Sequence, residues 1–420
     1  MTEIIEHLSL PWVPRALLTA SLVGMMCGIL GCFIVLRNMS LIGDALSHAV
    51  LPGIFVAFLL VGYSSIGFFI GASVAGLITA LAISLIQQYV TTKNDAAIGI
   101  IFTTMFAIGV IGITWLESNG SVHLDLDHFL FGNVIGIGPE DIYLTIIIAI
   151  YTMLSVALFY RQLFITTFQP TIAETMGIST KSMHYFLMLL LSFSIVVSLR
   201  AVGVILVVAM LITPASTALL LSDKFKNVIV ISAIVGIISA IIGIFISIIF
   251  DFPPGPTMTL VATTMYFIAV MFSPSKGLIF SYRQNRLEKK RILREDILRQ
   301  VIKNPLKEGM PVAAIARNLN YEERKISQAS KIMAKSSLLS VYNNIVLLSE
   351  EGRDKAEQLV RAHRLWETYQ VRQMGLRSDQ IHDEADMLEH FLTEELLDEI
   401  DKTLGFPVSD PHDSPIPTKR

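Results

Sequence analysis

The chain is poor in cysteine and, over its first two thirds, poor in charge. Its two cysteines, Cys27 and Cys32, lie five apart in one apolar run. A helix turns residues at that spacing away from each other, so no mutual bridge is expected, and no CxxC pair offers a metal knuckle. No G-x-x-x-x-G-K-[ST] loop occurs, so the chain brings no phosphate cradle of its own. No nucleophile–base constellation marks an enzyme either. The N-terminus lacks the basic cluster and cleavage site of a signal peptide. Glu3 and Glu6 precede an apolar run longer than a signal core, which reads as a retained membrane helix.

Charge is unevenly placed. Residues 1–277 hold 9 Lys+Arg and 12 Asp+Glu, whereas residues 278–420 hold 23 of each. The net charge of −3 averages two different compositions. The expected architecture is an all-α polytopic membrane bundle of about eight to nine transmembrane helices over 1–277. A linker over 278–291 leads to an α+β winged-helix-like domain over 292–350, and a helical dimerisation or metal-binding-like domain fills 351–420.

Apolar runs of about 20 residues are span candidates. They fall near 16–36, 41–61, 66–90, 96–116, 142–160, 183–199, 201–222, 227–249 and 256–272, and the adjoining runs over 183–222 admit other divisions. With nine spans, Arg37, Lys93, Arg161, Lys181, Lys224, Lys226, Lys276 and Arg283 share one side. The loop 117–141 takes the other, with Glu117, Asp125, Asp127, Glu140, Asp141 and no basic residue. The basic side is the cytoplasmic one, so the N-terminus is expected outside and the C-terminus in the cytoplasm. Arg200 is an exception at an outer boundary, read first as a snorkelling anchor or salt-bridge partner, with a pore residue as the alternative. Gly24/Gly28 and Gly67/Gly71 have helix-packing spacing, Thr213-Pro214 predicts a kink, and Asp251-Phe-Pro-Pro-Gly-Pro256 predicts a sharp break.

Against this apolar background Asp44 and His48 stand out, in Gly43-Asp44-Ala45-Leu46-Ser47-His48-Ala49-Val50-Leu51-Pro52-Gly53. Four residues make about one turn, so both side chains share a helix face. Ionisable groups in a membrane helix are costly and tend to face a polar path, and a carboxylate with an imidazole suits a divalent transition metal. The alternative is a helix-start pair, with Asp44 as cap and His48 bonded to a backbone carbonyl. Asp251 is a candidate third ligand, although its assigned depth is outermost. In the loop 162–181, Thr171 to Met176 forms a candidate short helix ended by Gly177, either a docking element or an ordinary connector. Residues 123–128, His-Leu-Asp-Leu-Asp-His, read as a solvated acidic loop, with cation attraction as the alternative.

Gly43 to Gly53 resembles the signature of the manganese/zinc/iron metal-permease family of ABC importers. The similarity extends through Phe168 to Gly177 and through Ala201 to Ala218, over roughly residues 10–280. The resemblance implies a bacterial-type plasma membrane and a second permease subunit, identical or homologous, embedded in lipid. It further implies a separate cytoplasmic ATP-binding subunit and an extracytoplasmic metal-binding protein. Asp44 and His48 would coordinate the ion in transit, with Mn²⁺ as cargo and Zn²⁺ or Fe²⁺ as alternatives. Phe168, Pro170, Ala173, Glu174 and Gly177 match that family's ATPase-coupling region.

In the second half, Arg283 to Arg291 reads as a basic helix-like stretch. Short helices follow over Asp296–Lys303, Val312–Leu319 and Glu322–Lys335, then a hairpin over Leu338–Leu348 and a long helix over Glu350–Met374. That order fits a winged helix-turn-helix. Asp386, Glu389 and His390 stand at helical spacings and, with His363, make a candidate carboxylate–imidazole metal site. A solvated acidic helix face is the alternative. His363 to Tyr369, Ile381 to Leu392 and Leu404 to His412 resemble the iron/manganese-dependent repressors related to the diphtheria toxin repressor. That resemblance implies metal ligation by His363, Asp386, Glu389 and His390; Asp296 also matches a ligand, but Arg299 stands where a second acidic or histidine position is expected. Tyr321-Glu-Glu-Arg-Lys325 mixes acids with bases and lacks a basic face. A tail that senses metal and regulates transport is therefore expected, with a membrane-anchored metal-dependent regulatory or DNA-binding protein as the alternative.

Overall fold

The computed structural model describes residues 12–62, 64–90, 93–119, 136–304, 309–377, 381 and 392–418. The chain divides into two compact units, 1–281 and 282–420.

The first unit is helical. Its elements are α1 (Trp12–Leu36), α2 (Ile42–Ala49), α3 (Leu51–Val61), α4 (Ser65–Tyr89), α5 (Asn94–Asn119) and α6 (Pro139–Leu158). They are followed by α7 (Tyr160–Phe168), α8 (Pro170–Thr175), α9 (Thr180–Leu221), α10 (Phe225–Phe250) and α11 (Pro254–Phe272). Among the described residues nine helical segments are long and apolar enough to cross a membrane. α2 and α3 together make one span, Ile42–Val61, and α9 supplies two. The acidic loop 123–128 lies outside the described residues.

α1 is the central strut. Ala16, Val23, Met26, Leu30 and Phe33 are fully or almost fully buried. Small residues let α10 approach it backbone to backbone. A Cβ on Gly24 would lie 2.5 Å from the carbonyl oxygen of Gly236, and Ser232 Oγ donates to Gly28 O at 2.7 Å. The two helices run antiparallel, because Cys32, further along α1, meets Val228, earlier on α10. Gly71 packs in the same way on Gly53, while Gly67 meets the N-cap residue Ser64 and Val61.

α9 folds back on itself at Gly203, where φ is 78° and ψ 169°. Cys27 Sγ lies 3.8 Å from Ser198 Oγ. Gly31, four residues further along α1, abuts Leu211, thirteen residues further along α9. A straight helix separates thirteen residues by about 20 Å and four by about 6 Å, so only a reversal brings both pairs together. The backbone of Gly203 lies in a region open to glycine alone. The reversal falls three residues after the expected division at 199/201, and Pro214 sits within helical backbone.

One end of this bundle is basic. Arg37 follows α1, Lys224 and Lys226 flank the start of α10, and Lys276 follows α11. Lys276 pairs with Asp223 at 2.6 Å and donates to Leu219 O, and Ser273 Oγ donates to Leu220 O. The break at Asp251 lies at the other end, with Asp251 in the left-handed region after α10.

The second unit holds most of α12 (Leu278–Ile302), which is one continuous helix where a linker and a separate short helix were expected. It continues with β1 (Met310–Pro311), α13 (Val312–Asn318), α14 (Glu323–Lys335), β2 (Leu339–Tyr342), β3 (Ile345–Leu348), α15 (Glu350–Arg372) and α16 (Glu394–Thr403). The strands form an antiparallel sheet in the order β1-β3-β2. Asn343 and Asn344 turn the hairpin with φ of 48° and 61°, the conformation that Asn tolerates in a tight two-residue turn. Ile297, Ile315, Ile326, Met333 and Val346 form its core, in the helix–helix–helix–hairpin order of a winged helix.

Candidate functional site

α2 and α3 are two helices because of Pro52. A proline has no N–H for the carbonyl four residues back, here that of His48. Asp44 and His48 therefore ride on a separate eight-residue helix at the basic end of the bundle. His48 Nε2 lies 3.6 Å from Asp44 Oδ1. The aspartate side chain is 46% exposed and the histidine 19%. The imidazole packs against Phe102 and Phe106 of α5 at centroid distances of 5.5 and 5.3 Å. His48 Nδ1 is buried and makes no hydrogen bond to a described residue.

The helix-start explanation of the pair does not hold. The N-cap position is Leu41, which offers no side-chain acceptor, and Asp44 lies inside the first turn. Ser47 turns to the other face, where it is buried and donates to Gly43 O at 2.8 Å. On that face a Cβ on Gly43 would meet Leu211 of α9. The apolar face of α2 is thus fixed in the bundle, and the Asp44–His48 face remains partly open. Asp251 does not join the pair. α10 is antiparallel to α1, so Asp251 lies beyond the start of α1, whereas Gly43, next to Asp44, meets Leu211, which Gly31 in the second half of α1 also meets. Among the described residues no group of three or more His, Cys, Asp or Glu is placed to hold a metal ion. What the chain presents is one carboxylate and one imidazole, a donor pair suited to a divalent ion, on a face that remains partly open.

The segment 168–177 runs on from the end of α7. α8 starts with Pro170 at its first position and ends in a Schellman motif, with Gly177 at φ 78°. Ile178 N donates to Ala173 O at 2.9 Å, and Gly177 N to Glu174 O at 3.0 Å. Ala173 is buried, Glu174 accepts from Thr180 Oγ1 at 2.6 Å, and Ile172 and Met176 are exposed. Phe168 stands against Phe164 and Phe225, and Phe225 against Phe33 of α1.

Sequence reasoning used Arg37 only as a marker of topology. Its Nε and Nη2 donate to Thr167 Oγ1 and Thr166 Oγ1 of α7 at 3.1 Å each. Both hydroxyls also donate back to carbonyls of their own helix, so each accepts from the arginine and donates at once. Burial pulls the guanidinium pKa down from its ordinary value, yet an arginine remains charged. Arg37 thus ties the turn before α2 to the helix that leads into α8.

In the second unit, His363 Nε2 lies 3.2 Å from Glu367 Oε1 on α15, and both side chains are buried. Glu367 was missed, although its spacing from His363 is that of Asp44 from His48. On a helix rich in charge such a glutamate reads as solvated. The pair supplies an imidazole nitrogen and a carboxylate oxygen, a donor set that fits Mn²⁺ or Fe²⁺. Asp386, Glu389 and His390 lie outside the described residues. Arg299 pairs with Asp296 at 3.8 Å, both largely buried, so at this position a guanidinium faces the expected ligand. Lys325 pairs with Glu322 at 3.6 Å, which offsets the positive charge of the candidate recognition helix.

Residues 9–273 match the ABC 3 transport family, and residues 349–418 match the iron dependent repressor, metal binding and dimerisation domain. The manganese transport system membrane protein MntC of Halalkalibacterium halodurans is 45% identical over 284 residues, covering 68% of this chain and 95% of that protein. The protein of the same name from Bacillus subtilis is 31% identical over 396 residues, covering 91% and 90% of the two chains. A solved structure, PsaBC from Streptococcus pneumoniae in complex with Fab, is similar with a TM-score of 0.59 and 39% identity. It covers 66% of this chain and 97% of the other.

Proposed function

This chain belongs to the ABC 3 transport family, and from that premise we propose that it is the permease subunit of an ATP-driven importer of Mn²⁺. Zn²⁺ and Fe²⁺ are the competing cargoes. The observation that carries the reading is the Asp44–His48 face. It holds two of the ligands that a divalent ion in transit needs, and a second permease subunit supplies the others. The ion arrives from an extracytoplasmic binding protein. The carboxylate replaces part of its hydration and the imidazole supplies a softer donor, while ion charge offsets the cost of keeping Asp44 in the span. A cytoplasmic ATP-binding subunit acts on Phe168, Pro170, Ala173, Glu174 and Gly177. The exposed Ile172 and Met176 side chains support docking there, and Arg37 passes movement of α7 to the turn before α2. Uptake of radioactive manganese by cells making the whole complex tests this. Manganese should accumulate and be competed best by unlabelled manganese. Uptake that follows zinc or iron would reassign the cargo, and uptake of none of the three would end the metal reading.

The tail is proposed to sense cytoplasmic metal and restrain import, through His363, Asp386, Glu389 and His390, with Glu367 added from its place beside His363. A bound Mn²⁺ would supply the charge that draws these acids and imidazoles together. The chain's own part is to keep the His363–Glu367 pair buried and aligned on α15. His363→Ala combined with His390→Ala should leave import running at metal levels that silence the parent. Unchanged inhibition in that double variant would count against sensing by the tail.

A further inference from the structure

We propose that the first half of α12 is a lipid-binding surface, whose basic face lies along the anionic phospholipid headgroups of the bilayer that the bundle spans. The start of α12 is held near the basic end of the bundle. Ser273 and Lys276, in the turn before it, are bonded to Leu220, Leu219 and Asp223, and Ser281 N donates to Gly277 O at 2.9 Å as the helix begins. Helical rise then places Arg283 about 9 Å and Lys290 about 20 Å along the axis from Gly277.

Arg283, Arg286, Leu287 and Lys290 stand at i, i+3, i+4 and i+7, which is one face of the helix. Lys289 flanks it. All four basic side chains are exposed, and none pairs with an acid among the described residues. Glu288, the one acid between Leu278 and Arg294, turns to the opposite side, where Gln284 donates to it at 3.5 Å. Phe280 and Leu287 are 43% and 59% exposed at the edge of the basic face. Exposed cations beside exposed apolar groups fit the boundary between headgroups and acyl chains. Attraction to an anionic leaflet decays within a Debye length of about 8 Å. A helix pointing straight away from the bilayer would leave Arg286, Lys289 and Lys290 beyond it. A helix lying along the surface engages all four cations together. The alternative occupant of such a face is nucleic acid.

The test uses the full chain with Leu287→Cys carrying an environment-sensitive fluorophore; Cys27 and Cys32 are buried. The chain is reconstituted in vesicles of phosphatidylcholine alone or with phosphatidylglycerol added. The expected result is a blue shift of emission in the anionic vesicles that high salt reverses. The shift should be lost when Arg283, Arg286, Lys289 and Lys290 are all replaced by Gln. Identical emission in the two vesicles would overturn the proposal without reference to the variant. So would a shift produced by duplex DNA in neutral vesicles and not by phosphatidylglycerol. The readout is independent of transport, so its failure leaves the permease assignment standing.

Discussion

Cells carrying Asp44→Ala or His48→Ala are expected to take up manganese no faster than cells without the chain, with the protein still present in the membrane at its parental level. The two side chains act as a unit, 3.6 Å apart on one turn of α2. Removing either leaves one ligand where the ion needs several. Loss of one charged contact of this kind costs about 2 kcal/mol, which is roughly a 30-fold loss of affinity. Uptake requires capture and release in every cycle, so the loss is felt at each turnover. The fold should tolerate both changes, because the Gly43–Ser47 face against α9 still holds α2 in the bundle when the contact of His48 with Phe102 and Phe106 is lost. Manganese uptake and the membrane level of the variant are measured together. Parental uptake by both variants would remove Asp44 and His48 from the path.

The second large effect is on stability. Gly24→Leu is expected to prevent recovery of folded protein, and Gly24→Ala to destabilise it by about 2 kcal/mol, within the ordinary cost of overpacking. The added Cβ would meet the backbone of Gly236, its carbonyl oxygen at 2.5 Å and its carbonyl carbon at 2.8 Å. A backbone cannot move aside as a flexible side chain can. α1 and α10 would have to separate, and the Ser232–Gly28 hydrogen bond would go with them. Gly99→Ala is the control, since a Cβ there meets nothing within 4 Å. Thermal unfolding of the detergent-solubilised chain should show a lower midpoint for Gly24→Ala and an unchanged one for Gly99→Ala. Equal midpoints would mean that the contact between α1 and α10 is looser than described.

The spans were legible because a bilayer imposes a length on every apolar run, and little else in a soluble-looking sequence has that length. Gly24 and Gly28 were legible as packing residues for a related reason: helices in lipid approach closely only through small side chains. The reversal at Gly203 was placed three residues early, since Arg200 marks a boundary in an otherwise apolar run and a single glycine suffices to turn the chain. The short helix α8 was found within one residue through Gly177, whose positive φ ends it. Depth was the weak point at Asp251, because hydropathy says that a residue flanks a span but not which other residues share its level. At Glu367 the difficulty was burial: a charged residue on a charged helix gives no local sign that it faces inward. Arg37 was hidden by its usefulness as a marker of topology.

The interruption at Val50 divides the span into a short arm, α2, and a post, α3. α3 is held against α4 by Gly53 and Gly71, and against α5 where Leu51 and Pro52 meet Gly109. Asp44 lies six residues from Val50 and His48 two, or about 9 Å and 3 Å along the arm. A tilt of roughly 20° at Val50 would then sweep the carboxylate through about 3 Å and the imidazole through about 1 Å. The spacing between them, set by one helical turn, would not change. Under the proposed function, rotation of such an arm would hand over an ion with its own two ligands kept together while their distance to ligands across the path opens or closes.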